Sequence, residues 1–207
     1  MPTAPDEPPP DLGDLDRNHP ALTDGVVALR PPTPDDVEAV FDACQDPEIQ
    51  RWTTVPVPYA RADAVGYVDL CRWAWEEAVA APFVVVDATD PHQLLGTIDL
   101  RHTGPSVGEV GYWVAPWARR RGVAGRALTL VRDWALHDLG KQVLTLQVYE
   151  GNEASVRVAE AAGFHRAGEI VADQRGVDRR AVLYSLVTET ETETETERSG
   201  GSTGGDR

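Results

Sequence analysis

The chain has 207 residues, enough for one domain with a core that needs no staples, and its 42% hydrophobic share is that of a globular protein. Its 34 acidic and 19 basic residues leave a net charge of −15, which argues against general nucleic-acid binding, since that requires a basic face to displace counterions. It has two cysteines, Cys44 and Cys71, no apolar run of membrane-spanning length, and an N-terminus, MPTAPDEPPPDLGDLD, unlike a signal peptide; a reduced, cytoplasmic protein without membrane association is expected.

Residues 1–24 are rich in Pro and Asp and lack periodicity, which predicts a flexible lead-in. Val26 to Arg30 reads as a short strand. Thr33 then caps a helix whose first turn holds Pro34, Asp35 and Asp36, with Val37, Val40, Phe41 and Cys44 on its apolar stripe. A second helix is expected from about Arg61 to Glu77, turning Ala64, Tyr67, Val68, Cys71 and Trp75 inward. Strands follow at Phe83 to Val86, Leu94 to Leu100 and Val107 to Val114, the last two separated by the turn-like His102 to Ser106. The spacing of Ala124, Ala127, Leu128, Val131 and Ala135 predicts a helix from about Val123 to His137. Val143 to Val148 is a strand, and Glu153 to Ala162 a helix stopped by Gly163. Phe164 to Val171 and Ala181 to Val187 close the fold as an antiparallel pair. From Thr188 the chain alternates Thr and Glu and then turns Ser/Gly-rich; with no apolar face to bury, 188–207 is expected to be a disordered tail. The folded domain is therefore 25–187, an α/β architecture with helices on both faces of a mixed sheet.

The densest chemistry lies in VAPWARRRGVAGRAL, Val114 to Leu128. Pro116 stops the strand, having no N–H for the ladder, and Arg119, Arg120, Arg121 and Gly122 turn the chain into the helix. The first turn of a helix has N–H groups without internal partners and carries the positive end of the dipole. Gly122 and Gly125, with the small Ala124, place no bulk between backbone and an anion, and guanidinium groups bond phosphate oxygens. The pattern suits a pyrophosphate. It also suits an ordinary strand-to-helix connection with a solvated basic edge. The P-loop of nucleotide triphosphatases and the Gly-x-Gly-x-x-Gly of dinucleotide binders are absent, which points to another phosphate-bearing cofactor.

Arg119-x-x-Gly122-x-Ala124 fits the Gln/Arg-x-x-Gly-x-Gly/Ala signature of the GNAT acetyltransferases and stands between a strand and a helix, as that family requires. GEVGYWVAPWARRRGVAGRAL, with NEASVRVAEAAGF from Asn152 to Phe164 downstream, resembles the RimJ/RimL-like branch of ribosomal-protein N-terminal acetyltransferases. LRPPTPDDVEAV and DPEIQRW look like that branch's opening, so the resemblance spans nearly all of 25–187. It implies the GNAT fold: a mixed, mostly antiparallel sheet of about seven strands, splayed between the fourth and fifth, with the pantetheine arm of acetyl-CoA in the gap. It implies transfer of acetyl from that cosubstrate to a primary amine. Backbone groups of Trp113 and Val114 would face the arm, and a donor near Val114 would polarise the thioester carbonyl. Arg119, Arg120 and the N–H groups of Arg121, Gly122, Val123, Ala124 and Gly125 would hold the pyrophosphate. The acceptor is a protein N-terminus, or else a small amine or an aminoglycoside antibiotic; a CoA-binding module without transfer is a separate class. A monomer or homodimer is expected.

Amine attack needs a neutral amine, and the departing thiolate a proton. By the resemblance Glu109, on the strand before the loop, is the base; it also reads as an exposed strand glutamate or as one paired with an arginine. It shares a face with Gly111 and Trp113. The tyrosine that many members carry seven residues after the asparagine is Ala159 here, so that acid is missing. Ser155, typical of the RimJ/RimL-like branch, would hydrogen-bond the sulfur or satisfy free donors at its helix start. Asn152 would contact the arm or act as a plain N-cap. Protonation by water also suffices. Trp52, Tyr59, Trp73 and Trp75 crowd the region that forms the acceptor side in similar enzymes, where most are expected in the core and a minority in the pocket lining, and Asp46, Glu48 or Asp69 of the same region would select a cationic acceptor. The five histidines are scattered without ligand spacing, so no metal is expected.

Overall fold

The computed structural model describes residues 20–188. Leu22–Thr23 (β1) folds back onto Val27–Arg30 (β2), because the Asp24 carboxylate accepts the N–H groups of Val26 and Val27 and closes the turn. These paired residues lie inside the segment expected to be a flexible lead-in; residues 1–19 and the tail from 189 lie outside the described residues. Val27 and Leu29 point into the core, while Arg30 grips Asp36 through two hydrogen bonds of 2.7 and 2.8 Å. With the Thr33 N–H on Asp36 at 2.7 Å, that pair fixes the 3-10 turn that starts α1, Val37–Cys44. Burial alone would lift the Asp36 carboxyl, but these hydrogen bonds hold it below the usual carboxylate range.

Pro47–Trp52 (α2) is a separate helix that hydrophobic periodicity does not reveal, since six residues are too few to display a helical period. Its sequence mark is the Asp46 cap, which accepts from Glu48 N and Ile49 N, followed by Pro47. Arg61–Glu76 (α3) buries Ala64, Val68, Cys71 and Ala74. Then come β3 (Ala80–Asp87), β4 (Asp90–Gly104), β5 (Val107–Val114), α4 (Val123–His137), β6 (Val143–Tyr149), α5 (Glu153–Ala161), β7 (His165–Gln174) and β8 (Val177–Val187).

Eight strands form one sheet in the order β1-β2-β3-β4-β5-β6-β8-β7, one more than expected because of the two-residue β1. Neighbours are antiparallel except β5 and β6. The β5–β6 pairing stops after Val107↔Val143, Gly108↔Leu144 and Glu109↔Thr145, although β5 runs on to Val114 and β6 to Tyr149. This is the expected splay.

Alternation on β5 divides the two faces. Tyr112 meets Ser155 of α5 on one side. Glu109, Gly111 and Trp113 face the other, as does Thr97, paired with Trp113 and hydrogen-bonded by Tyr67 of α3. In the core the fully buried Phe83 ring stands edge-on to Trp75 at 5.2 Å and to Trp134 at 5.7 Å. Truncating such a ring to alanine costs about 3–5 kcal/mol. None of the helices among the described residues is long and apolar enough to cross a membrane.

Candidate active site

A cavity of about 600 Å³ opens where β5 and β6 part. Its strand wall runs from Val110 to Val114 on β5, with Leu146, Gln147 and Tyr149 on β6 opposite. The N–H and C=O of one strand residue point the same way across the sheet. Ala115 donates to Leu95 O at 2.9 Å, and the Trp113 carbonyl lies so close to Gly96 that a Cβ there would sit 2.4 Å from it. Trp113 and Ala115 therefore spend their backbone groups on β4. Tyr112 and Val114 turn theirs to the unpaired gap. Of the two residues expected to face a ligand there by backbone, Val114 turns its backbone groups to the gap, and Trp113, which also lines the cavity, turns its own to β4.

Beyond β5 the 3-10 turn Pro116–Ala118 leads through Arg120, at φ 60°, and Gly122, at φ 74°, into α4. Both lie in the left-handed region, which glycine occupies at no steric cost. Arg126 is the residue whose N–H first finds a partner in this helix, Gly122 O at 3.1 Å. The N–H groups of Val123, Ala124 and Gly125 thus belong to the open first turn, and all three residues line the cavity with Gly122. A Cβ on Gly125 would meet nothing within 4 Å, so the space before it is free. The arrangement has the backbone, dipole and room to hold a diphosphate.

The three arginines have separate fates. Arg119 lines the cavity but binds Asp46 at 2.5 Å, tying the loop to the cap of α2. Burial tends to raise Asp46, yet the Arg119 and α2 hydrogen bonds hold it below the ordinary carboxylate range. Arg121 does not line the cavity; its guanidinium lies 3.7 Å from Asp87. Arg120 lines the cavity and, among the described residues, makes no ion pair. A second cation in the lining, Arg157 of α5, was not singled out from the sequence. Its signal was present in NEASVRV, two residues past Ser155.

Asn152 and Ser155 both line the cavity. Asn152 is a true N-cap, its side chain accepting Ser155 N at 3.2 Å. The Ser155 hydroxyl, however, bonds the Tyr112 hydroxyl at 2.8 Å instead of a helix donor. Tyr112 is a cavity residue that sequence reasoning missed. Ala159, in the place of the family's tyrosine, is wholly buried.

On the other face Glu109 has both oxygens engaged, one by Arg101 at 2.9 Å and one by Gln147 at 3.0 Å. The arginine partner foreseen as one reading is thus present. Arg101 also binds Asp99 at 3.1 Å, so two carboxylates share one guanidinium. Asp99 stands opposite Gly111, where a Cβ would come within 2.9 Å of its carboxylate. Desolvation, eased by Arg101 and reinforced by the charge of Glu109, lifts Asp99 to about 6. Gly111 and Gln147 line the cavity, whereas Glu109 and Asp99 are not part of its lining.

The remaining wall is α2. Gln174 donates to Arg51 O and Thr53 O, and Arg175 to Gln50 O, so the β7–β8 turn grips the end of that helix. Glu48 and Trp52 line the cavity, joined by a 2.9 Å hydrogen bond. Of the other expected acceptor-side residues, Tyr59 is buried, Trp75 packs on Phe83, and Trp73 and Asp69 lie on the outer surface of α3. Among the described residues no group of three His, Cys, Asp or Glu side chains is placed to hold a metal.

Comparison with known proteins agrees with this geometry. Residues 27–165 match the model of the acetyltransferase (GNAT) domain. An uncharacterized N-acetyltransferase of Bacillus subtilis (strain 168), YoaA, is 24% identical over 172 residues, covering 81% of this chain and 97% of its own. A Vibrio cholerae structure assigned as a ribosomal-protein-serine acetyltransferase superposes with a TM-score of 0.72 at 20% identity, over 81% of this chain and 97% of that one. Mycobacterium smegmatis RimJ, solved with CoA-disulfide, gives 0.70 at 21% identity over 80% and 83%.

Proposed function

The chain belongs to the GNAT acetyltransferase family and is an acetyl-CoA-dependent N-acetyltransferase; from that premise we propose that it acetylates a protein N-terminal amine at the splay between β5 and β6. The observation that carries the reading is the meeting, in one cavity, of the open first turn of α4 with the gap-facing backbone of Val114. Likeness in fold to RimJ and to the Vibrio acetyltransferase supports the choice of acceptor.

Acetyl-CoA, when bound, supplies an activated acyl group on a thiolate leaving group. The N–H groups of Val123, Ala124 and Gly125 hold its diphosphate, with the charges of Arg120 and Arg157 in the same cavity lining. Arg119 braces the loop through Asp46. The Val114 N–H polarises the thioester carbonyl; donors in that role are typically worth roughly 10²–10³ in rate. Glu109, oriented by Arg101 and Gln147, takes the amine proton through water. Asn152 caps α5 and so sets Ser155 at the sulfur end of the cavity.

The test is thiol release from acetyl-CoA against a panel of peptide N-termini, polyamines and aminoglycosides. Turnover is expected with peptides. Turnover with small amines alone would replace the acceptor, and CoA binding without turnover on any amine would remove transfer itself.

A further inference from the structure

The side chains of Tyr112 and Ser155 come from elements 43 residues apart and meet inside the cavity, hydroxyl to hydroxyl, at 2.8 Å. Tyr112 also lies 3.5 Å from the Ser155 carbonyl, a much poorer acceptor distance. We propose that Tyr112 is a positioning residue which, by donating its phenolic hydrogen to Ser155 Oγ, aims the serine hydroxyl hydrogen at the sulfur of coenzyme A. The proposal rests on the cavity being the coenzyme site.

The direction of the bond follows from acidity. A phenol is a stronger donor than an alkyl hydroxyl, and burial pushes the Tyr112 hydroxyl up to about 12, so it keeps its hydrogen throughout the working range. Each hydroxyl has one hydrogen. Once Ser155 Oγ accepts from Tyr112, its own hydrogen is free to point elsewhere. The Asn152 side-chain oxygen accepts the Ser155 N–H at 3.2 Å, and among the described residues Ser155 Oγ has no hydrogen-bond partner but Tyr112. The cavity is the remaining direction.

When the amine forms its bond to the carbonyl carbon, the carbon–sulfur bond breaks and the electron pair stays on sulfur. Ser155 donates a hydrogen bond to that thiolate; water supplies the proton that finally completes the thiol. Tyr112 loses no proton at any step, which its high pKa requires. A hydrogen bond to a charged acceptor stabilises more than one to a neutral acceptor, so the effect is larger after the bond breaks than before it. The absence of a tyrosine at position 159 is thereby met from a different strand, by stabilisation of the anion in place of proton donation.

The experiment compares Tyr112→Phe, Ser155→Ala and the double variant in the full chain. CoA affinity is measured by calorimetric titration, kcat and KM by thiol release, and the bound coenzyme's thiol pKa by thiolate absorbance in the near ultraviolet. Tyr112→Phe and Ser155→Ala are each expected to lower kcat about tenfold with the KM for acetyl-CoA within about twofold. The double variant should be no slower than Ser155→Ala alone. The bound thiol should titrate about one pH unit higher in both single variants, which a merely structural tyrosine would not cause. Wild-type thiol pKa and kcat in Tyr112→Phe, with CoA still bound, would overturn the inference. Failure of the wild-type chain to bind CoA would overturn the site reading beneath it.

Discussion

Gly122 makes the loop possible, and in the proposed role the neighbouring arginines would set how tightly a diphosphate is held there. Among the described residues Arg120 is the one of the three that lines the cavity without an ion pair, so in the proposed role its loss would subtract binding energy directly. Arg120→Ala should weaken CoA by about tenfold with the melting temperature unchanged, as expected for one charge-assisted contact. Arg119→Ala should instead lower the melting temperature, since it leaves the partly buried Asp46 without its cation. Reversed outcomes in calorimetry and thermal melting would reassign the two residues. Glu109 is the other residue with a separable role. Glu109→Gln should reduce kcat by roughly 10²–10⁴, most at low pH and progressively less as the free amine deprotonates unaided. It also removes a negative charge that helps hold Asp99 at about 6, so the Asp99 pKa should fall. A pH-independent rate ratio would leave Glu109 a structural partner of Arg101. These side-chain fates were not legible in the sequence. Arg119 and Asp46 are 73 residues apart, and three consecutive arginines look alike until the fold assigns each a neighbour.

Among elements, β5 and α4 were readable to the residue, because strong alternation ends at Pro116 and a clean apolar stripe begins at Val123. β1 and α2 were not: a two-residue strand has no period, and α2 is held by the distant Gln174 and Arg175 more than by any pattern of its own. β4 and β8 extend past their expected ends because tight turns at Ala88–Thr89 and Arg175–Gly176 let pairing continue through polar residues. The far end of β4 carries a liability of its own. Among the described residues His102 has both ring nitrogens buried without hydrogen-bond partners, near Lys141, whose ammonium donates to the carbonyls of Gly104 and Pro105 at 2.9 Å. Desolvation first, and Lys141 second, lower His102 from 6.5 to about 4. Between those values the unfolded chain takes up a proton that the folded chain refuses. Stability should therefore be full above about pH 6.5 and fall as the pH drops to about 4. Urea titrations at intervals across that range should show the slope, and His102→Phe should flatten it. An equal slope in the variant would place the acid sensitivity elsewhere.

The whole molecule sets a small positive site within a chain of net charge −15. That contrast is local: the first turn of α4, Arg120 and Arg157 line the cavity, while Asp99 and Glu109, outside its lining, share the Arg101 guanidinium. The proposed anion binding and the proposed proton acceptance would both depend on the single break in pairing between β5 and β6. The measurement that bears most directly on this account is a crystal structure of the chain with CoA. It should show the diphosphate on the N–H groups of Val123 to Gly125 and the pantetheine arm between Val114 and β6; a diphosphate bound away from the start of α4 would contradict it.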